Sequence, residues 1–218
     1  MEWHTWQLVD SLYPTGGFAH SLGLESAVQE KIVTNTTTLR QFVVSALYQT
    51  GNLLLPFLCE AHANPCVENF ARLDALAHAM TTNHVARRAS IAQGTALLRV
   101  ATQTYSHLPV LRAIKQTRPV GHHVVVLGTL CGALGLDSLA SQRLLLFFTL
   151  RDILSAATRL NLVGPIESAK LQMQLAEVAE TVLQTRKDRP VDDAYQSAPY
   201  LDLVQGRHDQ LYTRIFNS

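Results

Sequence analysis

Apolar residues recur at helical spacing along nearly the whole chain, and nowhere is an apolar–polar alternation of period two sustained. A strand half-buried in a sheet has to alternate, because successive side chains point to opposite faces. A core-facing helix instead repeats every three to four residues. The chain is therefore read as all-α, a single-domain helical bundle of about ten helices. Trp3, Trp6, Leu8 and Val9 mark the first helix. Thr36-Thr37-Thr38 offers N-caps to a stretch reaching about Ala61, with Leu39, Phe42, Val43, Ala46 and Leu47 on one side. Pro56 is placed to kink or break that stretch. Further helices are expected over 67–80, 84–105, 122–134, 138–160 and 165–184. Gly164-Pro165 opens the last of these. A short segment punctuated by Pro109 and Pro119 lies between 105 and 122.

No internal repeat and no break in composition divides residues 1–184, so they read as one domain. The chain has 218 residues, 47% of them hydrophobic, enough for a sizeable core. Residues 185–199, TRKDRPVDDAYQSAP, are polar, contain two prolines and lack a core face, which predicts a mobile linker. Residues 200–218 regain an apolar face and read as a docking tail, mobile alone and helical on a partner. Gly206 weakens its helix by about 1 kcal/mol relative to alanine, and Val204, Leu211, Tyr212, Ile215 and Phe216 are expected to stay uncovered until a partner arrives. Arg207 and Arg214, seven apart, are expected on one helix face beside Leu211, Tyr212 and Ile215, which reads equally as a solvated face or as an interface.

The net charge of +1 gives no basic footprint for nucleic acid. The longest mainly apolar run, Val124 to Leu136, is shorter than the roughly 18–20 residues of a bilayer span. Glu2, His4, Gln7 and Asp10 interrupt any leader-like opening, and three cysteines are too few for a disulfide scaffold. These features lead to the expectation of a reducing, cytoplasmic setting.

The richest short stretch is PTGGFAHSLGLE, residues 14–25. Within it Ala19-His20-Ser21-Leu22-Gly23 is a near miss to the Gly-x-Ser-x-Gly nucleophile elbow. That motif requires a strand before the serine and a helix after it. Only helix precedes it here, so a hydrolase built on His20-Ser21 is the runner-up. The leading reading is a Pro14–Gly17 turn followed by a helix that Ser21 caps, with Phe18 at the turn tip. Cys59, His62 and Cys66 have ligand-like spacing, but Pro65 breaks their alignment and no second ligand pair follows, so no structural metal is expected. The adjacent His122 and His123 diverge by about 100° on a helix, one facing the core or an interface and the other solvent. Gly128 and Gly132 permit close approach of another helix or of a second copy. No phosphate loop is present, and Arg87-Arg88 reads as a solvated or snorkelling face.

Five blocks, in order, resemble the urease accessory protein F (UreF) family: PTGGFAHSLGLE, RRASIAQGTALL (87–98), HHVVVLGTLCGALGL (122–136), LRDILSAATRLNLVGPIESAKLQ (150–172) and YLDLVQGRHDQLYTRIFNS (200–218). Departures are small: Tyr13 occupies a variable place, and some members carry Tyr where this chain has Phe18. The resemblance implies an all-α, homodimeric and non-enzymatic helper without a cofactor of its own. It also implies binding to a second accessory protein, UreD (also called UreH). That pair recruits the nickel-carrying GTPase UreG, biases its nucleotide cycle, and matures apo-urease. By motif match the resemblance gives a partner-binding role to Arg207, His208, Tyr212 and Arg214, with support from Phe18, His20 and Glu25. Truncation of 200–218 is then expected to leave the domain folded and to abolish capture of UreD.

Overall fold

A computed structural model describes residues 2–218; its regular elements are all helical, with no strand among the described residues. Helix α1 spans Glu2–Val9 and α2 Leu24–Gln29, separated by the glycine-rich turn. Helix α3 (Thr36–Gln49) is capped by Asn35 and not by the threonines expected. Asn35 Oδ1 accepts from Thr38 N–H at 3.0 Å, and Thr38 Oγ1 accepts from Asn35 N–H at 3.1 Å, a reciprocal capping box.

Helix α3 runs on through one π turn, Thr50–Leu54, into α4 (Leu55–Ala63), so Pro56 does not break the rod. The π turn resets the register so that Pro56 falls in the first turn of α4. Pro56 has no N–H to offer the carbonyl of Asn52, and Tyr195 N–H, 3.2 Å away, donates to it instead. This rod is the most apolar long helix in the chain, long enough by itself to cross a bilayer. Two thirds of its most apolar window is buried in the bundle, against α8, α9 and α10.

Helices α5 (Val67–Met80) and α6 (His84–Thr104) follow as expected. Pro109, read as punctuation, is the first residue of α7 (Pro109–Gln116), which buries Leu111 and Ile114. Its fixed φ suits a first helical turn, and the three-residue spacing of those two side chains was the available signal. Helix α8 (His123–Ala133) is the hub, with every residue from Val124 to Cys131 buried. Helices α9 (Ser138–Arg159) and α10 (Pro165–Arg186) complete the bundle, and α11 (Pro199–Gly206) crosses it.

Glycines set the helix separation around α8. A Cβ on Gly128 would fall 2.7 Å from the Leu58 carbonyl oxygen, one on Gly132 2.2 Å from the His62 oxygen, and one on Gly94 of α6 2.0 Å from the Gly121 oxygen. The Gly128–Gly132 pair is thus a seat for α4 inside the domain.

The expected linker does have a core face. Val191 is buried, and Gln49 Oε1 accepts from the backbone N–H groups of Ser197 and Ala198 at 2.8 and 2.9 Å. The expected amphipathic helix to 216 also differs. Its α-helix stops at Gly206, a 3-10 turn covers Arg207–Gln210, and the rest is irregular. Val204 and Phe216 are buried in the domain core; Leu211 is half-covered, and Tyr212 and Ile215 are exposed.

Candidate functional site: a clasp between the opening turn and the tail

The quoted turn and the last residues of the chain fold onto one another. Gly16 and Gly23 take left-handed φ values of 78° and 87°, which L side chains adopt only under strain, so the two glycines bound a compact hook. Between them Gly17–Ala19 form one 3-10 turn and His20 is extended. Ala19 C=O accepts from Asn217 N–H at 2.8 Å, and Ser21 N–H donates to the Ser218 carbonyl at 2.7 Å. The Ser21 hydroxyl donates to that same carbonyl at 2.7 Å and accepts from Glu25 N–H at 3.3 Å, so it satisfies one first-turn donor of α2, although the N-cap position itself is Gly23 and not the serine expected.

Glu25 is the centre of the clasp and is 1% exposed. Its Oε1 accepts from Ile215 N–H at 2.6 Å, its Oε2 accepts from Phe216 N–H at 3.1 Å, and the Oε2 lies 3.2 Å from His208 Nε2, which donates to it. A buried carboxylate is tolerated only with such partners, and here every partner belongs to the tail. His208 is fully buried, and its Nδ1 makes no hydrogen bond, the Asp209 carboxylate lying 4.0 Å away. His20 Nδ1 sits 2.8 Å from Ser218 Oγ; burial, with His208 and Arg88 nearby, holds its pKa below the usual histidine value.

Two arginines of α9 grip the hook from below, and the sequence reading passed over both. The Arg151 guanidinium lies over the Phe18 ring at 4.9 Å and the Phe148 ring at 4.6 Å, pairs with Asp152 at 2.9 Å and donates to the Val9 carbonyl at 3.1 Å. Arg159 donates to the Phe18 carbonyl and lies over the Phe216 ring at 4.2 Å. Their eight-residue spacing on a largely apolar helix was the legible clue.

The seven residues assigned to partner binding therefore divide. His20, Glu25 and His208 are interior, Phe18 is half-buried under Arg151, and Arg207, Tyr212 and Arg214 stand outside. Arg207 and Arg214 do not share a helix face. Arg207 faces Glu30 at 3.6 Å, and Arg214 faces Asp209 at 3.6 Å. Asp209 also receives Arg88 at 2.6 and 3.1 Å and His84 at 3.1 Å, and the Arg88 hydrogen bond chiefly holds its carboxyl below the usual range. Two arginines, Arg88 and Arg214, around one carboxylate leave this rim positive. Tyr212, 100% exposed, stands on the same segment. Arg88 is thus anchored to the tail, while Arg87 turns back to donate to the Thr81 carbonyl at 2.9 Å.

The hydrolase alternative finds no catalytic geometry. The ring of His20 bonds Ser218 and not Ser21, and the Ser21 hydroxyl, fully buried, is engaged by a carbonyl. Cys59 and Cys66 are free thiols, and His62 Nε2 bonds the Leu136 carbonyl at 2.8 Å; no group of three or more candidate ligands occurs among the described residues.

Of the adjacent histidines, neither points outward as one of them was expected to. His122 is buried, with Nδ1 3.1 Å from Ser90 Oγ and Nε2 3.2 Å from His78 Nδ1. His123 turns inward beside Phe148, and burial drives its pKa down to about 4. Unfolded, that ring takes a proton near pH 6.5, whereas in the folded protein it stays neutral to about 4. Stability attributable to His123 is therefore intact above the unfolded value and falls as pH drops from 6.5 toward 4. Melting curves at pH 7 and pH 5 are expected to show a loss in the parent chain and a smaller loss in His123→Gln.

Comparison with known proteins agrees with this architecture. The UreF family model matches residues 33–176. "Urease accessory protein F" of Oryza sativa subsp. japonica is 48% identical over 219 residues, 98% of this chain and 84% of that protein. The Arabidopsis thaliana protein of the same name is 44% identical over 223 residues, covering 100% and 93%. "Urease accessory protein UreF" of Arthrobacter sp. (strain FB24) is 30% identical over 220 residues, covering 97% and 95%. An all-α bundle whose family model spans its core helices, with relatives of one name along almost its whole length, belongs to the UreF family of urease accessory proteins.

Proposed function

We propose that this protein is a non-catalytic, cytoplasmic scaffold for urease maturation. As a homodimer it binds UreD/UreH, through that complex recruits the GTPase UreG with its nickel cargo, biases the GTPase cycle, and so serves nickel insertion into apo-urease. The observation that carries this reading is the rim on the clasped tail. Tyr212 and Ile215 are exposed beside Arg88, Arg207 and Arg214, while Glu25 fixes the backbone of 215 and 216 and is itself bonded by His208. Aromatic and arginine side chains on a rigid base match the composition of interaction hot spots. Exposed apolar side chains on a pinned segment contribute to binding without first losing backbone freedom.

The buried half of the tail changes which variant tests the idea. Deleting 200–218 would take Val204 and Phe216 out of the core, so loss of capture by the truncated chain would mix docking with stability. Tyr212→Ala combined with Arg214→Ala touches only the rim. This double variant is expected to keep the parent melting temperature within a few degrees and to lower UreD capture by roughly 30-fold or more, the loss of a hot spot of about 2 kcal/mol. A pull-down with UreD and UreG, read with sedimentation of the dimeric complex, checks it. Normal capture by the folded double variant refutes the assignment.

A further inference from the structure

A cavity of about 180 Å³ lies between the bundle and the strap that carries α11. It is partly open to solvent, and its volume is that of a site for a small organic guest. Its walls are mostly aliphatic and aromatic, including Ala46, Leu53, Leu145, Phe148 and Leu201. The π turn supplies part of the wall, and such turns recur at functional sites. Toward the opening hook the space narrows to a void of about 10 Å³ between His123, Phe148, Asp152 and Gly17, no wider than one water. The main chamber is therefore closed at that end and limited to a ring-sized guest.

Its charge is one-sided. The charged side chains that line it are Asp152 and Asp202, with no lysine or arginine among the described lining residues. Asp152 has Arg151 as its partner; Asp202 has only neutral amides, Gln196 donating at 2.5 Å with the Asn83 amide beside it, and no ion pair among the described residues. Burial pushes the Asp202 carboxyl upward, as expected for an anion lacking a counter-charge. The His123 ring at the far wall stays neutral and does not compete.

We propose that this cavity binds a small organic cation, a primary ammonium on an apolar, ring-sized body, with Asp202 facing the ammonium and the Ala46–Phe148–Leu201 wall holding the ring. The inference is independent of the scaffold role. Titration of the full chain at pH 7.5 with benzylammonium and with benzyl alcohol, followed by protein NMR shifts and calorimetry, tests it. Benzylammonium is expected to bind about tenfold more tightly than benzyl alcohol. Asp202→Asn is expected to bring the two affinities together while leaving that of the alcohol unchanged. Ala46→Leu, and Ala89→Leu on the α6 wall of the same cavity, each fill the chamber and are expected to remove binding of both, with melting curves confirming that the variants fold. If neither probe binds saturably, if both bind the parent equally, or if binding survives in the folded Ala→Leu variants, the proposal is overturned.

Discussion

Glu25→Ala is expected to lower the unfolding free energy by about 3–5 kcal/mol, the range for removing one partner of a buried charged group. For a chain of this size that corresponds to a melting temperature lower by roughly 6–20 °C. The effect is large because the carboxylate has three dependants at once: the N–H groups of Ile215 and Phe216, and the His208 ring. Each buried donor left unpaired costs about 1–3 kcal/mol. The damage should be local first. Amide exchange at 215 and 216 should accelerate by orders of magnitude, while amides of α8, in the middle of the core, keep their protection. Glu25→Gln retains one acceptor oxygen and turns an amide N–H₂ toward the remaining donors, so it should fall between parent and alanine. Should Glu25→Ala melt like the parent, with residues 215 and 216 still protected, the clasp does not depend on this carboxylate.

Gly132→Ala is expected to be strongly damaging as well. Its new Cβ would lie 2.2 Å from the His62 carbonyl oxygen, and the obstacle is backbone, which no rotamer change can move. Helix α4 has to slide off the hub, and overpacking of this kind costs about 1–3 kcal/mol or more. Gly94→Ala, 2.0 Å from the Gly121 oxygen, should behave alike, and combining the two should leave no cooperative melting transition above room temperature. Gly164→Ala is the control. Nothing lies within 4 Å of its Cβ and φ is −76°, so no clash or strain arises; as the N-cap of α10, where alanine is the poorer residue, it should lose no more than about 1 kcal/mol. Equal melting temperatures for Gly132→Ala and Gly164→Ala would show that α8 and α4 are not held at the separation the glycines permit.

The sequence by itself determined the all-α class and most helix positions, because those depend on local signals. A 3.6-residue period, an Asx residue before a helix and a proline in its first turn act within a few residues. They placed α5, α6, α8, α9 and α10 nearly where they lie. Ordered blocks likewise carried the family. Only the tertiary structure decided what the tail does. Glu25 meets Ile215 and Phe216 across about 190 residues, and His20 meets Ser218 across 198. No periodicity records which buried acceptor will face which backbone donor. The same holds for Pro56, expected to break a helix: Tyr195, 139 residues later, supplies the N–H that its neighbouring carbonyl lacks. Polar composition made 185–199 read as a linker and seven-residue spacing put Arg207 and Arg214 on one face. Both readings assumed that the chain there answers only to its neighbours. Three-dimensional packing overrode them, because satisfying buried donors and covering Val191, Val204 and Phe216 outweighs the weak helical preference of a short segment ending in glycine.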